Sequence, residues 1–538
     1  MLRVTGLKLS LEEDIKRLPY MIARKLRIKS ADILDWYVFK QSIDARDRRM
    51  IYFVYTVDVV VKNEAYLISK INDPGVSFTP PLRYEFAQTG SEKLKDPPVV
   101  IGTGPSGLFA GLLLAQMGYQ PLILERGDNV ETRAEKVRRF WETGCLDGES
   151  NVQFGEGGAG TFSDGKLTTL IKDKERRCRK VLEELVQAGA PASILYSFKP
   201  HIGTDVLQRV VKNLRGRIRE LGGQVLFRSR VTDLIVNSGR IDGVVVNGRD
   251  RINCQAVVLA TGHSARDVFR MLYEKGVKLQ PKPFSIGVRI EHHQEVIDRA
   301  QYREFAGHPR LGAAEYKLAY HSPSGRSAYT FCMCPGGTVV AAASEHGYLV
   351  TNGMSEHARD GRNANSALLV GVTPQDFPGD HPLSGVEFQR RWEKAAFLLG
   401  GGGYLAPAQL LSDFLEGRVS TVLGSVKPTY PRGVTLADLA ECLPSYVTET
   451  LREAISEFGR KLQGFAAADA VLTGVETRSS SPVRIARQDD FQACFSGLYP
   501  AGEGAGYAGG IVSAAVDGLR VGEALARRFK PLQAGITG

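Results

Sequence analysis

The sequence lacks the features that would tie it to a membrane or to an oxidising compartment. No apolar run approaches the roughly 20 residues needed to cross a bilayer. Charged sequence follows Met1-Leu-Arg-Val, where a signal peptide would have an apolar stretch and a small-residue cleavage site. The seven cysteines are odd in number and scattered, which argues against a disulfide framework. We therefore expect a soluble protein of the cytoplasm with no membrane span.

Long runs of basic residues are absent too, although the net charge is +10. Such an excess could attract nucleic acid, an anionic membrane or an acidic substrate, but a somewhat basic solvated surface explains it most simply. The cysteines and histidines do not have the paired spacing of zinc ligands, so we predict no metal. Internal repeats and low-complexity tracts are also missing. What remains is the composition of an ordinary globular protein, 43% hydrophobic and 24% charged.

The first part of the chain, residues 1–72, reads as a separate small α+β domain. Period-two patterns predict strands at 2–9, 33–42 and 51–61, and amphipathic patterns predict helices at 11–26 and 64–71. We place Glu12, Glu13 and Asp14 in the first turn of the helix at 11–26, where acids are favoured. This β-α-β-β-α order indicates a ferredoxin-like domain. The proline-rich stretch 73–97 reads as a linker.

An α/β pattern begins at residue 98. A strand, a glycine turn, a helix at 106–117 and a second strand at 121–124 form a βαβ unit, and further strands follow a helix at 205–221. We assign 98–281 and 479–538 to one dinucleotide-binding domain. Residues 282–478 are then an inserted α+β substrate domain, with strands at 285–291, 328–332 and 339–344 and helices at 386–399 and 436–458.

The glycine turn is the strongest motif. In Gly102-Thr-Gly104-Pro105-Ser106-Gly107 the first glycine allows the tight turn and the second lets the backbone approach a pyrophosphate. Gly107 permits close packing of helix on strand, and the helix N-terminus supplies amide hydrogens. Glu125, at the end of the next strand, is placed to accept hydrogen bonds from ribose hydroxyls. The pattern predicts dinucleotide binding.

Three separated segments then favour FAD over NAD. Glu125-Arg126-Gly127, the stretch Ala-Thr261-Gly262 and the element Gly497-Leu-Tyr-Pro-Ala-Gly502-Glu503 resemble motifs of flavoproteins with two dinucleotide-binding domains. The resemblance implies a glutathione-reductase-type FAD domain in which the helix after Gly510 and Ile511 points its N-terminus at the flavin.

A glycine-rich run at 151–167 resembles the segment beside the flavin in fumarate reductases and geranylgeranyl reductases. From these resemblances we expect cofactor contacts from Gly157, Gly158, Gly160, Thr161 and Lys166 in this run, and from Val231 elsewhere. A plain surface loop is the alternative.

Six segments together, at 42–46, 157–167, 331–337, 352–355, 363–366 and 474–484, resemble a bacterial and plastid family of uncharacterised FAD-dependent dehydrogenases. The resemblance covers nearly the whole chain. It implies the fold and FAD but no substrate.

Candidate catalytic residues lie in the insertion. Cys332 and Cys334 form a Cys-x-Cys pair that could exchange electrons with flavin, or could simply pack beside it. Arg289, Glu291 and His293 alternate on one strand face, where they could hold an anionic substrate and move a proton; a solvated ion pair is the alternative. Arg478 could grip a carboxylate or phosphate.

The leading hypothesis is an FAD-dependent oxidoreductase that transfers hydride between flavin N5 and a small organic substrate. No second glycine turn followed by an acid is present, so electrons come from the substrate, from NAD(P)H bound transiently or from a separate carrier. One alternative is flavin-dependent RNA modification or an RNA-associated redox function, suggested by the basic charge and by Arg46, Arg48 and Arg49. The other is a non-catalytic FAD-binding docking protein. The sequence does not indicate an oligomeric state.

Overall fold

The structure, a computed structural model, describes residues 1–47, 49–80 and 83–532. Arg48 and Pro81 lie outside the described residues. None of the helices within the described ranges is long and apolar enough to cross a membrane.

An N-terminal module folds as a four-stranded antiparallel sheet with two helices. Its elements are β1 (Leu2–Ser10), α1 (Leu18–Leu26), β2 (Ile33–Asp44), β3 (Tyr52–Val61), α2 (Glu64–Lys70) and β4 (Val76–Phe78). The strand order is β2-β3-β1-β4, with every pairing antiparallel. This β-α-β-β-α-β arrangement is the ferredoxin-like topology. Its fourth strand falls in the stretch predicted as linker.

The predicted first helix begins too early. Residues 11–14 form a turn, and Asp14 accepts a hydrogen bond from the Lys16 amide at the start of a short 3₁₀ turn. The α-helix starts only at Leu18, with Pro19 in its first turn, where a missing amide hydrogen costs nothing. The acidic residues thus precede the helix, because local side-chain capping competes with helix formation.

The second unit and the insertion contain the remaining elements. In chain order they are β5 (Glu92–Lys93), β6 (Val99–Ile101), α3 (Pro105–Gln116), β7 (Leu122–Leu124), α4 (Val130–Thr143), α5 (Arg177–Gln187), α6 (Thr204–Glu220), β8 (Gln224–Leu226), β9 (Val231–Asn237), β10 (Arg240–Val246), β11 (Asp250–Asn253), β12 (Val257–Leu259), α7 (Arg266–Glu274), β13 (Leu279–Pro281), β14 (Phe284–His293), α8 (Gln294–Tyr302), β15 (Ala319–His321), β16 (Ser327–Cys334), β17 (Thr338–Ala341), β18 (Thr351–Met354), β19 (Asn363–Val372), α9 (Ser384–Leu399), β20 (Ala406–Leu410), α10 (Leu411–Glu416), β21 (Val434–Leu436), α11 (Ser445–Lys461), β22 (Val471–Glu476), β23 (Val483–Ile485), β24 (Leu498–Pro500), α12 (Ile511–Arg528) and β25 (Phe529–Lys530).

A five-stranded parallel sheet with the order β24-β12-β6-β7-β8 is the centre of the dinucleotide-binding unit. Helix α3 is buried along almost its whole length and packs against α12. Glycines make this contact close: a Cβ on Gly518 would lie 2.1 Å from the Ser106 carbonyl oxygen. The strand β24, more than 230 residues after β12, therefore completes the same sheet that β6 begins. The protein has the predicted α/β fold with an inserted α+β unit.

The insertion is built on a seven-stranded sheet with the order β15-β16-β19-β14-β22-β20-β21. Strand β14 is buried at nearly every position, as expected for a central strand that is covered on both faces. The predicted helix at 436–458 is partly wrong. Leu436 ends strand β21, and α11 begins only at Ser445, directly after Pro444. Leu443 is extended, because a proline disfavours helical geometry in the residue before it.

The N-terminal module contacts both other parts of the chain. The backbone amide of Gln41 in β2 donates to the Tyr196 carbonyl at 2.7 Å, and the Gln41 carbonyl accepts from the Phe198 amide at 2.8 Å. On its other side, Arg310 of the insertion stacks on Phe53 and donates to backbone carbonyls that precede α1. The module is therefore fixed across the loop that contains residues 196–198.

Candidate functional site

One large cavity follows the carboxyl edge of the five-stranded sheet, the edge at which ligands bind in open α/β folds. Its volume is about 1000 Å³, at the upper end of the range for small-molecule sites. The wall combines all three units. It includes Gly102 after β6, Thr330–Met333 of the insertion and Phe39 of the N-terminal module.

The glycine turn forms the floor of this cavity and requires its glycines for steric reasons. Gly102 has φ +101°, and a Cβ on Gly107 would lie 2.0 Å from the Gly102 carbonyl oxygen. A Cβ on Gly104 would meet only Gly158, at 4.0 Å, so the backbone there stays open to the cavity. The buried Ser106 hydroxyl, in the first turn of α3, has no hydrogen-bond partner among the described residues. An unpartnered donor at a helix N-terminus fits the phosphates of a dinucleotide.

Glu125 directly follows β7 on the cavity wall, but its carboxylate is fully engaged with the chain. It accepts from the Thr103 amide and hydroxyl, at 2.9 and 2.6 Å, and from the Gly127 and Gly155 amides, at 2.9 and 3.1 Å. A carboxylate offers about four lone-pair positions. Glu125 thus ties the glycine turn to the glycine-rich run, and the expected ribose contact would have to share these positions.

The glycine-rich run is held by a residue that the sequence analysis missed. Arg133 of α4 has no exposed surface and donates to five carbonyls of the run. These acceptors belong to Asn151, Val152, Gly155, Glu156 and Gly158. One arginine in an amphipathic helix gives no sequence signal of this role. The run is consequently a rigid wall of the cavity and not a plain surface loop.

The C-terminal element closes the cavity from the other side. Gly502 donates its amide to Asp517 at 2.7 Å, and a Cβ there would lie 2.6 Å from the Ser106 Cβ. Gly510 has φ +109° and directly precedes α12, whose first residue lies on the wall. The positive end of an 18-residue helix therefore faces the cavity. Glu503 also lines the cavity, and burial raises its pKa to about 7.

Most predicted cofactor residues line the cavity, whereas four lie behind its wall. Those on the wall are Gly102, Gly104, Pro105, Ser106, Glu125, Arg126, Gly158, Gly160, Lys166, Val231, Thr261, Gly262, Glu503, Gly510 and Ile511. The four outside the lining are Gly107, Gly157, Thr161 and Gly502. Their cofactor contacts remain predictions, and their position indicates that they shape the wall.

Arg289 and Glu291 are buried, so the alternative of a solvated strand face is wrong. β14 is a central strand, and its side chains meet other elements on both faces. Arg289 donates to Glu476 at 3.0 Å and to the Asn365 amide oxygen at 2.7 Å. Glu291 accepts from Thr429 and Asn363 and lies away from the cavity. Of the two, Arg289 reaches the wall indirectly, because its partner Glu476 is part of the lining.

Arg478 lines the cavity, but its guanidinium is already paired. It donates to Glu393 at 3.0 Å and to the Ser344 hydroxyl at 2.6 Å. Glu393 is fully buried and also accepts a hydrogen bond from Arg266, at 2.7 Å. The two arginines hold the pKa of this carboxyl well below its usual range. This geometry favours a role in holding the insertion against the cofactor unit.

Comparisons with known proteins place the chain among flavoproteins. The family described as "FAD-dependent protein, C-terminal domain-like" matches residues 283–479, and "FAD dependent oxidoreductase" matches residues 206–314. Residues 1–60 match a domain of unknown function. The site is that of an FAD-dependent oxidoreductase-type protein, and FAD is its cofactor.

An uncharacterised protein of Clostridium beijerinckii is 52% identical over 98% of this chain and 99% of its own length. The chain therefore belongs to the same family of FAD-dependent proteins as this relative. A digeranylgeranylglycerophospholipid reductase of Methanothermobacter thermautotrophicus is 29% identical over 30% of this chain and 38% of its own. Among solved structures, E. coli quinol fumarate reductase covers 81% of this chain and 70% of its own, at 13% identity and a TM-score of 0.36. The structure of CtdE in complex with FAD covers 80% of this chain and 83% of its own, at 11% identity and a TM-score of 0.31. Scores this low establish no detail of the site.

Proposed function

We propose that this protein transfers a hydride between N5 of its flavin and an anionic organic molecule of small or medium size. One observation carries the proposal: the same cavity that is lined by the glycine turn is also lined by residues within 166–200, by strand β16 of the insertion and by Phe39 of the N-terminal module, so it extends beyond the cofactor motifs. A purely cofactor-binding protein has no need of that extension.

The lining of this extension supports an anionic substrate with an apolar body. Lys166, on the glycine-rich run, donates to Glu315 at 2.6 Å and lies 3.4 Å from Asp164. Lys199 also pairs with Glu315, at 2.9 Å, and Lys40 lies over the Phe198 ring. The further lining includes the apolar side chains of Leu167, Leu182 and Leu195 and the basic side chains of Arg176, Arg179 and Lys317. Lys166 and Lys199 are already paired, whereas Lys40 and Lys317 have no carboxylate partner among the described residues. These two can hold a carboxylate or phosphate, while the apolar surface receives the remainder of the molecule.

Glu476, on the insertion side of the cavity wall, is a carboxyl that can hold a proton for the substrate. Burial raises its pKa, and the ion pair with Arg289 offsets this in part. A carboxyl whose pKa is raised by burial keeps its proton to a higher pH than an exposed one and can act as a proton donor or acceptor. Bound FAD supplies the hydride chemistry, so the chain needs only to orient the substrate, exclude water and exchange this proton.

The experiment is an anaerobic flavin titration. Photoreduced protein is mixed with oxygen and with a panel of carboxylate and phosphate acceptors, and oxidised protein is mixed with NAD(P)H and with the reduced members of the panel. We expect one anionic compound to change the flavin bands much faster than oxygen does. A flavin that responds to no member of the panel faster than free FAD would overturn the proposal and favour a docking protein, and a salt-sensitive shift with RNA would favour the RNA alternative.

Variants then test the proton role. Glu476→Gln is expected to lower kcat about 100-fold or more with the compound identified; kcat is expressed per bound flavin, because the change also leaves the buried Arg289 without its carboxylate. The matched control is Glu449→Gln, an exposed position on α11. Equal kcat values in the two variants would remove Glu476 from the mechanism.

A further inference from the structure

We propose that Cys332 and Cys334 form a redox-active pair that exchanges two electrons with the bound flavin, so that a disulfide is the electron acceptor of this site. The inference rests on the proposed function, because it needs an active flavin in the cavity. It goes further by naming the chemical class of the second redox partner.

The first support is a break in the strand that carries both cysteines. Phe331 pairs with Ala367 and Cys334 with Asn365, so two residues of β16 oppose the single residue Ser366 of β19. This β-bulge places Cys332 at φ +43°, a left-handed conformation that non-glycine residues seldom adopt. Bulges of this kind redirect side chains beside active sites. The regular alternation that would have placed both cysteines on one face is therefore lost.

The bulge gives the two thiols different surroundings. Cys332 is half-buried and lies on the cavity wall, whereas Cys334 is fully buried behind it. The Cys334 thiol donates to the Cys332 carbonyl at 3.2 Å. One accessible sulfur and one protected sulfur suit a thiol pair in which the first reacts with outside partners and the second closes the disulfide.

A buried cation lies against the pair. Arg289 donates to the Cys332 carbonyl at 2.9 Å, and its Nη2 lies 3.7 Å from the Cys334 sulfur. Its Nε has no hydrogen-bond partner among the described residues. The Cys334 thiol, Arg289 and Lys166 together lower the pKa of Cys332. A positive charge stabilises the thiolate, which is the reactive form of cysteine.

Other cysteines of the chain lack this environment. Burial raises the pKa of Cys178, Cys254 and Cys442 to about 12, so each is an unreactive thiol near neutral pH. Cys178 also lines the cavity. Access to the cavity alone therefore does not produce the chemistry, and the difference at Cys332 comes from its charged neighbours.

Cys332 also shares the cavity wall with residues of the predicted cofactor site. Lys166 belongs to the glycine-rich run, whose Gly158 and Gly160 share the wall with Cys332. Two residues apart, the Cα atoms of the cysteines are separated by at most about 7 Å. Disulfides span Cα separations up to about 6.8 Å, so the spacing of the two cysteines is compatible with a disulfide, whose closure requires the two sulfurs to turn toward each other at the bulge.

The exchange balances without another reactant. The Cys332–Cys334 disulfide takes two electrons and one proton from reduced flavin and a second proton from solvent; the S–S bond breaks and two thiols form. The Cys334 thiol and the Arg289 cation stabilise the Cys332 thiolate, and a stabilised thiolate favours the reduced form of the pair, which is the direction of transfer proposed here. An external small-molecule or protein disulfide then restores the pair by thiol–disulfide exchange.

The test counts electrons and thiols in the holoprotein. Protein oxidised with diamide and freed of reagent is titrated anaerobically with dithionite while the flavin bands are followed. Four electrons per flavin are expected for the wild type and two for Cys332→Ser and Cys334→Ser, because a lone flavin accepts only two. Cys178→Ser and the exposed Cys494→Ser serve as controls and should still take up four electrons.

Mass spectrometry gives a readout that does not depend on the flavin. After diamide treatment and alkylation, the peptide with residues 332–334 should carry no alkyl group and weigh two hydrogens less; after dithionite it should carry two alkyl groups. Uptake of two electrons by the wild type, or full alkylation after diamide, would overturn the inference even if the cysteine variants fail to fold. Protein without flavin bands would instead contradict the proposed function.

Discussion

Replacing Gly107 with alanine tests the packing that holds the cofactor end of the cavity. The added Cβ would lie 2.0 Å from the carbonyl oxygen of Gly102 and 2.9 Å from its carbonyl carbon. Both atoms are backbone, so no side chain can turn away to make room. Helix α3 must therefore move off the turn, and its N-terminal amides move with it.

The expected cost follows from two opposing contributions. Overpacking costs up to about 3 kcal/mol, and replacing a helical glycine with alanine returns about 1 kcal/mol. The remaining loss is about 2 kcal/mol. If binding must restore the original position of α3, this loss weakens flavin binding roughly 30-fold.

Gly216→Ala is the matched control. Gly216 lies within α6, and a Cβ there would meet no atom within 4 Å. This change should raise the free energy of unfolding by about 0.5–1 kcal/mol and leave flavin binding unchanged. Kd would be measured by quenching of FAD fluorescence as apoprotein is titrated in, and stability by urea unfolding of the apoprotein. If Gly107→Ala binds FAD as tightly as Gly216→Ala does, the steric reasoning for the glycine turn is wrong.

Two further predictions concern buried charges. Glu393→Gln leaves Arg266 and Arg478 without their shared carboxylate, so it should lower the free energy of unfolding by about 3–5 kcal/mol in urea titrations, whereas Glu387→Gln on the same helix should change it by less than about 1 kcal/mol. Glu156 is fully buried, and burial raises its pKa to about 7 despite the ion pair with Arg215. The folded state thus holds this proton more tightly than the unfolded state, and the stability due to it is present below pH 4.5 and is lost as the pH rises through about 7. Between pH 5 and 8 the wild type should lose about 2–4 kcal/mol relative to Glu156→Gln, and parallel pH profiles of the two proteins would contradict the assignment.

The sequence predicts well those features that depend on neighbouring residues. The glycine turn, α3 and the returning element at Gly502 each have a local steric reason, and the structure places them around one cavity. The β-α-β-β-α order of the N-terminal module was also visible, because each of its first three strands has its own alternating pattern. The missed β4 is only three residues long and carries no such pattern.

Buried ionic partners could not be predicted in this way. Arg133 and Glu393 look like ordinary surface residues in a single sequence, since a charged residue in a helix most often faces water. Arg289 was a candidate for catalysis, but its pattern left a solvated ion pair open. The partners of Arg133, Arg289 and Glu393 lie 18–25, 187 and 85–127 residues away. Only the three-dimensional arrangement shows that these charges are buried and which groups they contact.

The strand order of the central sheet has a consequence for how the cofactor is acquired during synthesis. β12 and α3 are synthesised before the insertion, whereas β24 and α12, against which they pack, are synthesised only after it. Until then, the apolar surface of α3 and one edge of β12 are uncovered, and the cavity has no wall at Gly510. Nascent chains that stop within the insertion should therefore emerge without flavin, so the protein takes up FAD only after α12 has left the ribosome.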